Sequence, residues 1–160
     1  MPALTVEHVC LRQVDLPPKV VRTDAIQSFV TQETVLLIVQ CSDGLQGTGY
    51  AYTIGTGGSS VIALLRDHLV PRLLGSDPTR IEAIWKDLFY HTHATAVGAI
   101  TSLALCCIDT ALWDWRARSL GLPLWRLLGG AQSRVPLYTT EGGWLQLAPQ
   151  ALVDQALEAR

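Results

Sequence analysis

Residues 104 to 130 read Ala104-Leu-Cys-Cys-Ile-Asp109-Thr-Ala-Leu-Trp113-Asp114-Trp-Arg-Ala-Arg118-Ser-Leu-Gly-Leu-Pro123-Leu-Trp-Arg-Leu-Leu-Gly129-Gly130. The segment is largely apolar at first and stops at Gly121-Leu122-Pro123, a glycine followed by a proline, which is how helices end. It predicts a long helix from about Val97 to Leu120 and a short one over Leu124 to Leu128, closed by Gly129-Gly130. The stretch Ala94 to Trp115 has the length of a membrane span. Thr101, Ser102, Asp109, Thr110 and Asp114 interrupt it, however, and a central Asp costs roughly 3 kcal/mol on insertion. A helix buried in a protein core is therefore expected, and no membrane partner.

Upstream, the first fifty residues read as strands. Leu4 to Val14 is a strand candidate ending at Asp15-Leu16-Pro17-Pro18. Thr34 to Cys41 is rich in β-branched residues and meets the turn signal Ser42-Asp43-Gly44, after which Gly47 to Thr53 makes a third strand. So short a turn implies an antiparallel hairpin. Val61, Leu64, Leu65, His68 and Leu69 then fall on one helical face, with Ser59 or Ser60 as N-cap and Pro71 ending or kinking the helix. His68 on that face is expected to be structural. A second helix carries Ile81, Ile84, Trp85, Leu88 and Phe89, started by Asp77 before Pro78 or by a Thr79–Glu82 capping box. His91 and His93 at its end are expected to satisfy last-turn carbonyls.

Beyond the quoted segment, Val135 to Thr140 reads as a strand, Glu141 to Trp144 as a loop, and Pro149 to Arg160 as an amphipathic helix with Leu152, Val153, Ala156 and Leu157 on one face. One strand–helix unit cannot cover both faces of its strand. The sequence thus reads as unfinished at its C-terminus.

The chain has 160 residues, 49% of them hydrophobic and 16% charged, with a formal net charge of −2. That balance lacks the clustered Lys and Arg that nucleic acid requires. Cys10, Cys41, Cys106 and Cys107 form no CxxC pair and read as free thiols in a reducing compartment. Met1 to Leu16 has neither a basic start nor an apolar core, so no signal peptide is expected. The reading is cytoplasmic.

The segment Ala104 to Gly130 closely resembles the signature of the mandelate racemase and muconate lactonizing enzyme family, within the enolase superfamily, over about 27 positions. The order of elements agrees with that family as well. Trp115 departs from it, since the family more often has a smaller aliphatic residue there. Many members also place a Glu where Gly47-Thr48-Gly49 is followed by Tyr50; the tyrosine resembles the branch around mandelate racemase and the acid-sugar dehydratases. The resemblance implies an α+β fold: an antiparallel three-stranded meander and a helical bundle forming a capping domain over residues 1–131. The first β-strand and helix of an incomplete TIM-type barrel would follow over 132–160.

It further implies a Mg²⁺-dependent enzyme that removes the proton next to a carboxylate, acting as a homo-oligomer when intact. Its base and metal ligands sit on later barrel strands. No catalytic or metal-binding residue is therefore expected in this segment, which alone should be inactive. Asp109 should accept bonds from backbone or from a basic partner. Asp114 and Arg118 should pair as i, i+4 neighbours, and Asp109 and Asp114 point to different helix faces, against a joint metal site.

The segment's share is specificity and closure. Two family capping loops match Pro17–Phe29 and Thr53–Gly58. Arg22 is placed to meet a second carboxylate or a sugar hydroxyl, and Tyr50, Tyr52 and Thr53 to meet substrate from the second loop. Tyr138 and Thr140 match positions near the barrel mouth. For Arg22 a solvated loop charge is the alternative, and for the two tyrosines plain packing in the hairpin. Polar loops of this kind suit an acid sugar, hence a dehydratase, ahead of a 2-hydroxy-acid racemase. From other classes, Gly55-Thr-Gly57-Gly58-Ser59-Ser60 resembles a phosphate cradle without the P-loop lysine, and a non-catalytic capping module is a further alternative.

Overall fold

The computed structural model describes residues 3–96, 98–138 and 143–158. Three long strands form one antiparallel sheet: β1 (Val6–Leu16), β4 (Gln32–Cys41) and β5 (Gln46–Thr53), in the order β1-β4-β5. Between β1 and β4 lies a small hairpin, β2 (Arg22–Thr23) and β3 (Ser28–Phe29), in a region read from sequence only as a loop. The expected β4–β5 hairpin forms. Gly44 takes φ 81° in its turn, and the Asp43 carboxylate accepts from Leu45 N at 3.0 Å.

Alternation on β4 buries Val35, Leu37, Val39 and Cys41 on the inner face, while β5 adds Gly47, Gly49 and Ala51. Against that face lies α4 (Ala99–Ser119), presenting Ala104, Cys107, Ile108, Ala111 and Trp115. The two β5 glycines let helix and strand backbones touch: a Cβ on Gly49 would overlap the Cys107 carbonyl oxygen and lie 2.8 Å from Ala111 N. At the outer edge of β5, Thr48 N donates to Asp114 at 2.9 Å, and Arg118 Nε donates to the same carboxylate oxygen, so the expected i, i+4 pair also seals a strand edge. The helix ends as its sequence directs. Gly121 has φ 62°, Leu122 N bonds to Ala117 O and Gly121 N to Arg118 O, the paired closure of a Schellman motif.

The first helical stretch differs from its reading. α1 (Gly58–Leu64) passes into a π-helical turn over Leu65–Leu69 and then into α2 (Val70–Leu73). Pro71 has no N–H to give, and the chain absorbs it by widening the preceding turn, with Val70 N reaching back to Leu65 O. Val61, Leu65, Leu69 and Leu73 stay buried through the wider turn, whereas His68 is rotated out to solvent. Neither Ser59 nor Ser60 caps α1; the N-cap residue is Gly57, at φ 107°.

The next helix, α3 (Ile81–His91), starts without the expected cap or capping box. The Asp77 carboxylate is used one turn earlier, accepting from Thr79 N at 2.9 Å and Thr79 Oγ1 at 2.7 Å. At its far end the His93 ring meets Tyr90 O at 3.0 Å, as a last-turn histidine should. The short helix α5 (Leu124–Leu127) follows the Pro123 start. Val135 to Tyr138 does not form the expected strand: no described strand pairs with it, and Leu137 and Tyr138 are 93% and 90% exposed. A strand without a ladder partner has nowhere to place its backbone bonds except water. The remainder of that expected strand, Thr139 and Thr140, lies outside the described residues, as does Val97, the expected start of the long helix. The last helix, α6 (Pro149–Glu158), forms, but its apolar side is not buried. Among the described residues no helix is long and apolar enough to cross a membrane.

Candidate functional site

The antiparallel registers Leu16↔Gln32 and Glu33↔Thr53 bring the end of β1, the start of β4 and the end of β5 to one edge of the sheet. Both candidate loops leave the sheet there. The first loop is shaped by its own hairpin. Asp24 Oδ1 accepts from Ile26 N at 2.7 Å and Gln27 N at 2.8 Å, an Asx turn that carries β2 into β3. These backbone donors, Gln27 first and then Ile26, hold the Asp24 carboxyl below the usual range.

That hairpin is clasped by a segment more than a hundred residues away. Gln146 Oε1 accepts from Thr23 N at 3.0 Å and its Nε2 donates to Val21 O at 2.6 Å, while Leu145 N donates to Thr23 O at 3.2 Å. The side-chain amide of Gln146 thus extends the hairpin as a third strand would. Trp144 fills the space beneath: Phe29 packs edge-on at 6.0 Å between ring centroids, and the Arg22 guanidinium lies 5.6 Å from the Trp144 ring centroid. Cation and ring face attract in this geometry. Arg22, half-buried, is therefore a held side chain rather than a solvated loop charge.

The second loop runs from Thr53 to Gly58. Thr53 Oγ1 donates to Glu33 Oε2 at 2.6 Å, and Gly58 N donates to the same oxygen at 2.9 Å. The Thr53 hydroxyl first, then the Gly58 N–H, hold the Glu33 carboxyl below its ordinary range. Gly58 N–H at the start of α1 thus meets a carboxylate already in place instead of opening onto a phosphate cradle.

Strand alternation separates the remaining candidates. Thr53 shares its parity with the inner-face residues Gly49 and Ala51, whereas Tyr50 and Tyr52 point to the outer face, about half exposed at 57% and 52%. Tyr52 lies one residue from the loop, opposite Thr34, while Tyr50 lies deeper along the strand, opposite Leu36. Tyr138 is on the exposed stretch already described, and Thr140 lies outside the described residues. The structure thus gathers Arg22, Thr53 and their loops at one edge and leaves Tyr50 on another face. Sequence reading missed Glu33 and Gln146. Neither has a local signal, because their partners lie 25 and up to 125 residues away.

Among the described residues no three His, Cys, Asp or Glu side chains converge as a metal site. Asp114 is engaged by Thr48 and Arg118, and Asp109 sits half-buried among Ile81, Trp85 and Leu105. No described donor reaches Asp109, contrary to expectation; burial, and then the nearby Glu82, push its carboxyl up. The folded state therefore binds this proton more tightly than the unfolded state does. Stability is lost as pH rises from below the ordinary value of 3.8 through the raised one, and the loss persists above it. Asp109→Asn is expected to stabilise the chain at pH 7, by less than about 1 kcal/mol because the site is half open. Urea midpoints should show the gain at pH 7 and not at pH 3; equal midpoints at pH 7 would refute it.

A family model described as the mandelate racemase / muconate lactonizing enzyme N-terminal domain matches residues 7–129. A D-mannonate dehydratase of Caulobacter sp. (strain K31) is 41% identical over 143 residues, 89% of this chain and 32% of that protein. The crystal structure of L-talarate/galactarate dehydratase from Salmonella typhimurium LT2, liganded with Mg and L-lyxarohydroxamate, superposes with a TM-score of 0.91 at 27% identity. That superposition covers 99% of this chain and 42% of the other. A racemase from Streptomyces coelicolor A3(2) with bound magnesium gives a TM-score of 0.89 at 31% identity, covering 96% and 43%. The chain spans about a third of the length of the curated relatives it matches.

Proposed function

Because this chain belongs to the mandelate racemase / muconate lactonizing enzyme family, we propose that it is the specificity-setting and site-closing portion of an acid-sugar dehydratase. One observation carries the reading. The two polar loops leave the same edge of the sheet, and the first is clasped by Leu145 and Gln146, in the segment read as the start of the barrel. A cap so tied covers the mouth of whatever follows. Residues 1–131 are then the capping domain and 132–160 the start of the barrel.

Within this reading Arg22 and Thr53 meet substrate from the two loops, Tyr52 from the rim, and Tyr138 and Thr140 from the barrel side. Tyr50 is the member of the candidate set placed least well for contact. Arg22, its guanidinium 5.6 Å from the Trp144 ring centroid, carries a charge of the kind that meets a second carboxylate or a vicinal diol. The relatives that are dehydratases of mannonate and of talarate/galactarate support a polyhydroxylated substrate. The family's magnesium, bound to a carboxylate, stabilises the charge that builds when the neighbouring proton leaves. Among the described residues no group of His, Cys, Asp or Glu fits that ion; the family resemblance implies that its ligands and the base lie on later barrel strands. A cytoplasmic homo-oligomer completes the proposal. The magnesium-bound racemase neighbour supports racemisation of a 2-hydroxy acid as the second reading.

The test is a chimera in which this chain replaces the matching segment of the Salmonella dehydratase. With Mg²⁺ it is expected to convert an acid sugar to the dehydrated keto acid, while the chain alone exchanges no C2 proton with D₂O. A chimera that exchanges the C2 proton of 2-hydroxy acids and dehydrates no acid sugar would sink the dehydratase assignment.

A further inference from the structure

Helix α1 begins with nothing local to hold it. Its N-cap, Gly57, offers no side chain, and its first turn contains no acidic residue. The free N–H of Gly58 is satisfied by Glu33 on β4, through the oxygen that also accepts the Thr53 hydroxyl at the other end of the loop. Two chain positions five residues apart therefore converge on one oxygen atom. Gln13 Nε2 approaches the second carboxylate oxygen at 3.4 Å from β1.

Between the anchored ends the chain turns at two glycines. Gly55 and Gly57 have φ 76° and 107°, conformations that glycine enters freely. The fit at Gly58 is close, since an added Cβ would lie 3.0 Å from both Cβ and Oε2 of Glu33. One side chain, Glu33, therefore receives a hydrogen bond from each end of the span.

We propose that Glu33 is the positioning residue of the second capping loop, fixing both ends of Thr53–Gly58 so that the loop is presented to substrate in one place. This rests on the reading that the loop faces substrate. Glu33 does not touch substrate; it acts through Thr53 and Gly58. Its role is that of a charged acceptor: a glutamine would still turn its one carbonyl oxygen to Thr53 and Gly58, but as a neutral acceptor its hydrogen bonds are roughly half as strong, and its N–H₂ group would face Gln13. Among the described residues, Asp15, opposite Glu33 on β1, is the other titratable group facing it; Gln13, Thr53 and the start of α1 add none.

The test is amide hydrogen exchange by NMR on this chain, compared as protection factors so that the intrinsic pH dependence cancels. Glu33→Gln is expected to lower the protection of Gly58 by at least about tenfold while that of Leu37, in the sheet, is unchanged. Thr53→Val should act in the same direction, and Thr53→Ser should restore protection through its hydroxyl. In the wild type, Gly58 protection should fall as acid protonates Glu33; it should still do so in Asp15→Asn and not in Glu33→Gln. Unchanged Gly58 protection in Glu33→Gln would overturn the proposal, as would an equal loss at Leu37 or an acid response that vanishes with Asp15. If Glu33→Gln fails to fold, the Thr53 pair decides alone: equal protection in Val and Ser overturns it. No arm uses substrate, so a failed latch leaves the chimera result standing, and a failed chimera leaves the latch measured.

Discussion

Replacing Gly49 by alanine is expected to leave the chain unfolded or destabilised by more than about 3 kcal/mol, the upper range of overpacking and core strain. The added carbon would enter the space of the Cys107 carbonyl oxygen and approach Ala111 N at 2.8 Å. Neither is the end of a flexible side chain. Both belong to the backbone of α4, which runs through the core and cannot retreat without opening Ala104, Cys107 and Ile108 from the inner face of the sheet. Gly44→Ala is the control. It meets nothing within 4 Å and suffers only from φ 81°, a cost of about 1–2 kcal/mol. Urea unfolding followed by circular dichroism separates the two, and a Gly49→Ala midpoint at or above that of Gly44→Ala would refute the close-approach account.

Trp115→Ala carries the second large effect, about 3–5 kcal/mol. The side chain is 1% exposed, next to Gly47, where a Cβ would come within 2.6 Å of that of Trp115. The indole fills the corner between α4 and the β4–β5 turn, and its Nε1 reaches the Asp43 carboxylate at 3.3 Å. Trp115→Phe should recover most of the loss, losing mainly the bond to Asp43, which is long and worth about 1 kcal/mol. A Phe variant as unstable as the Ala variant would show that the bond, not the packing, dominates.

How much of this was legible depends on how local each cause is. β4 could be read because its β-branched run and the Ser42-Asp43-Gly44 turn lie within a dozen residues, and α4 because Gly121 and Pro123 mark its end. His68 was misplaced because a uniform helical period was carried up to Pro71, whereas the π-helical turn over Leu65–Leu69 shifts the phase within that stretch. The strand at Val135 to Tyr138 failed because alternation specifies a face and not a partner. In the candidate site, Arg22 and Thr53 came from the resemblance, while their supports did not. A carboxylate on a strand that caps a helix 25 positions later leaves no pattern in either neighbourhood, and neither does a glutamine that imitates a strand.

The clasp of Gln146 on Val21 and Thr23 also sets a schedule. During synthesis the hairpin leaves the ribosome 123 to 125 residues ahead of the side chain that holds it. At about 5–20 residues per second the wait is roughly 6 to 25 s. By then the sheet and α4 can already be assembled, with every strand of the meander and its glycine contacts translated. The loop that holds Arg22 is thus the last part of the cap to receive its partners, and a nascent chain halted before Trp144 should carry a folded sheet whose first loop is still open to proteases.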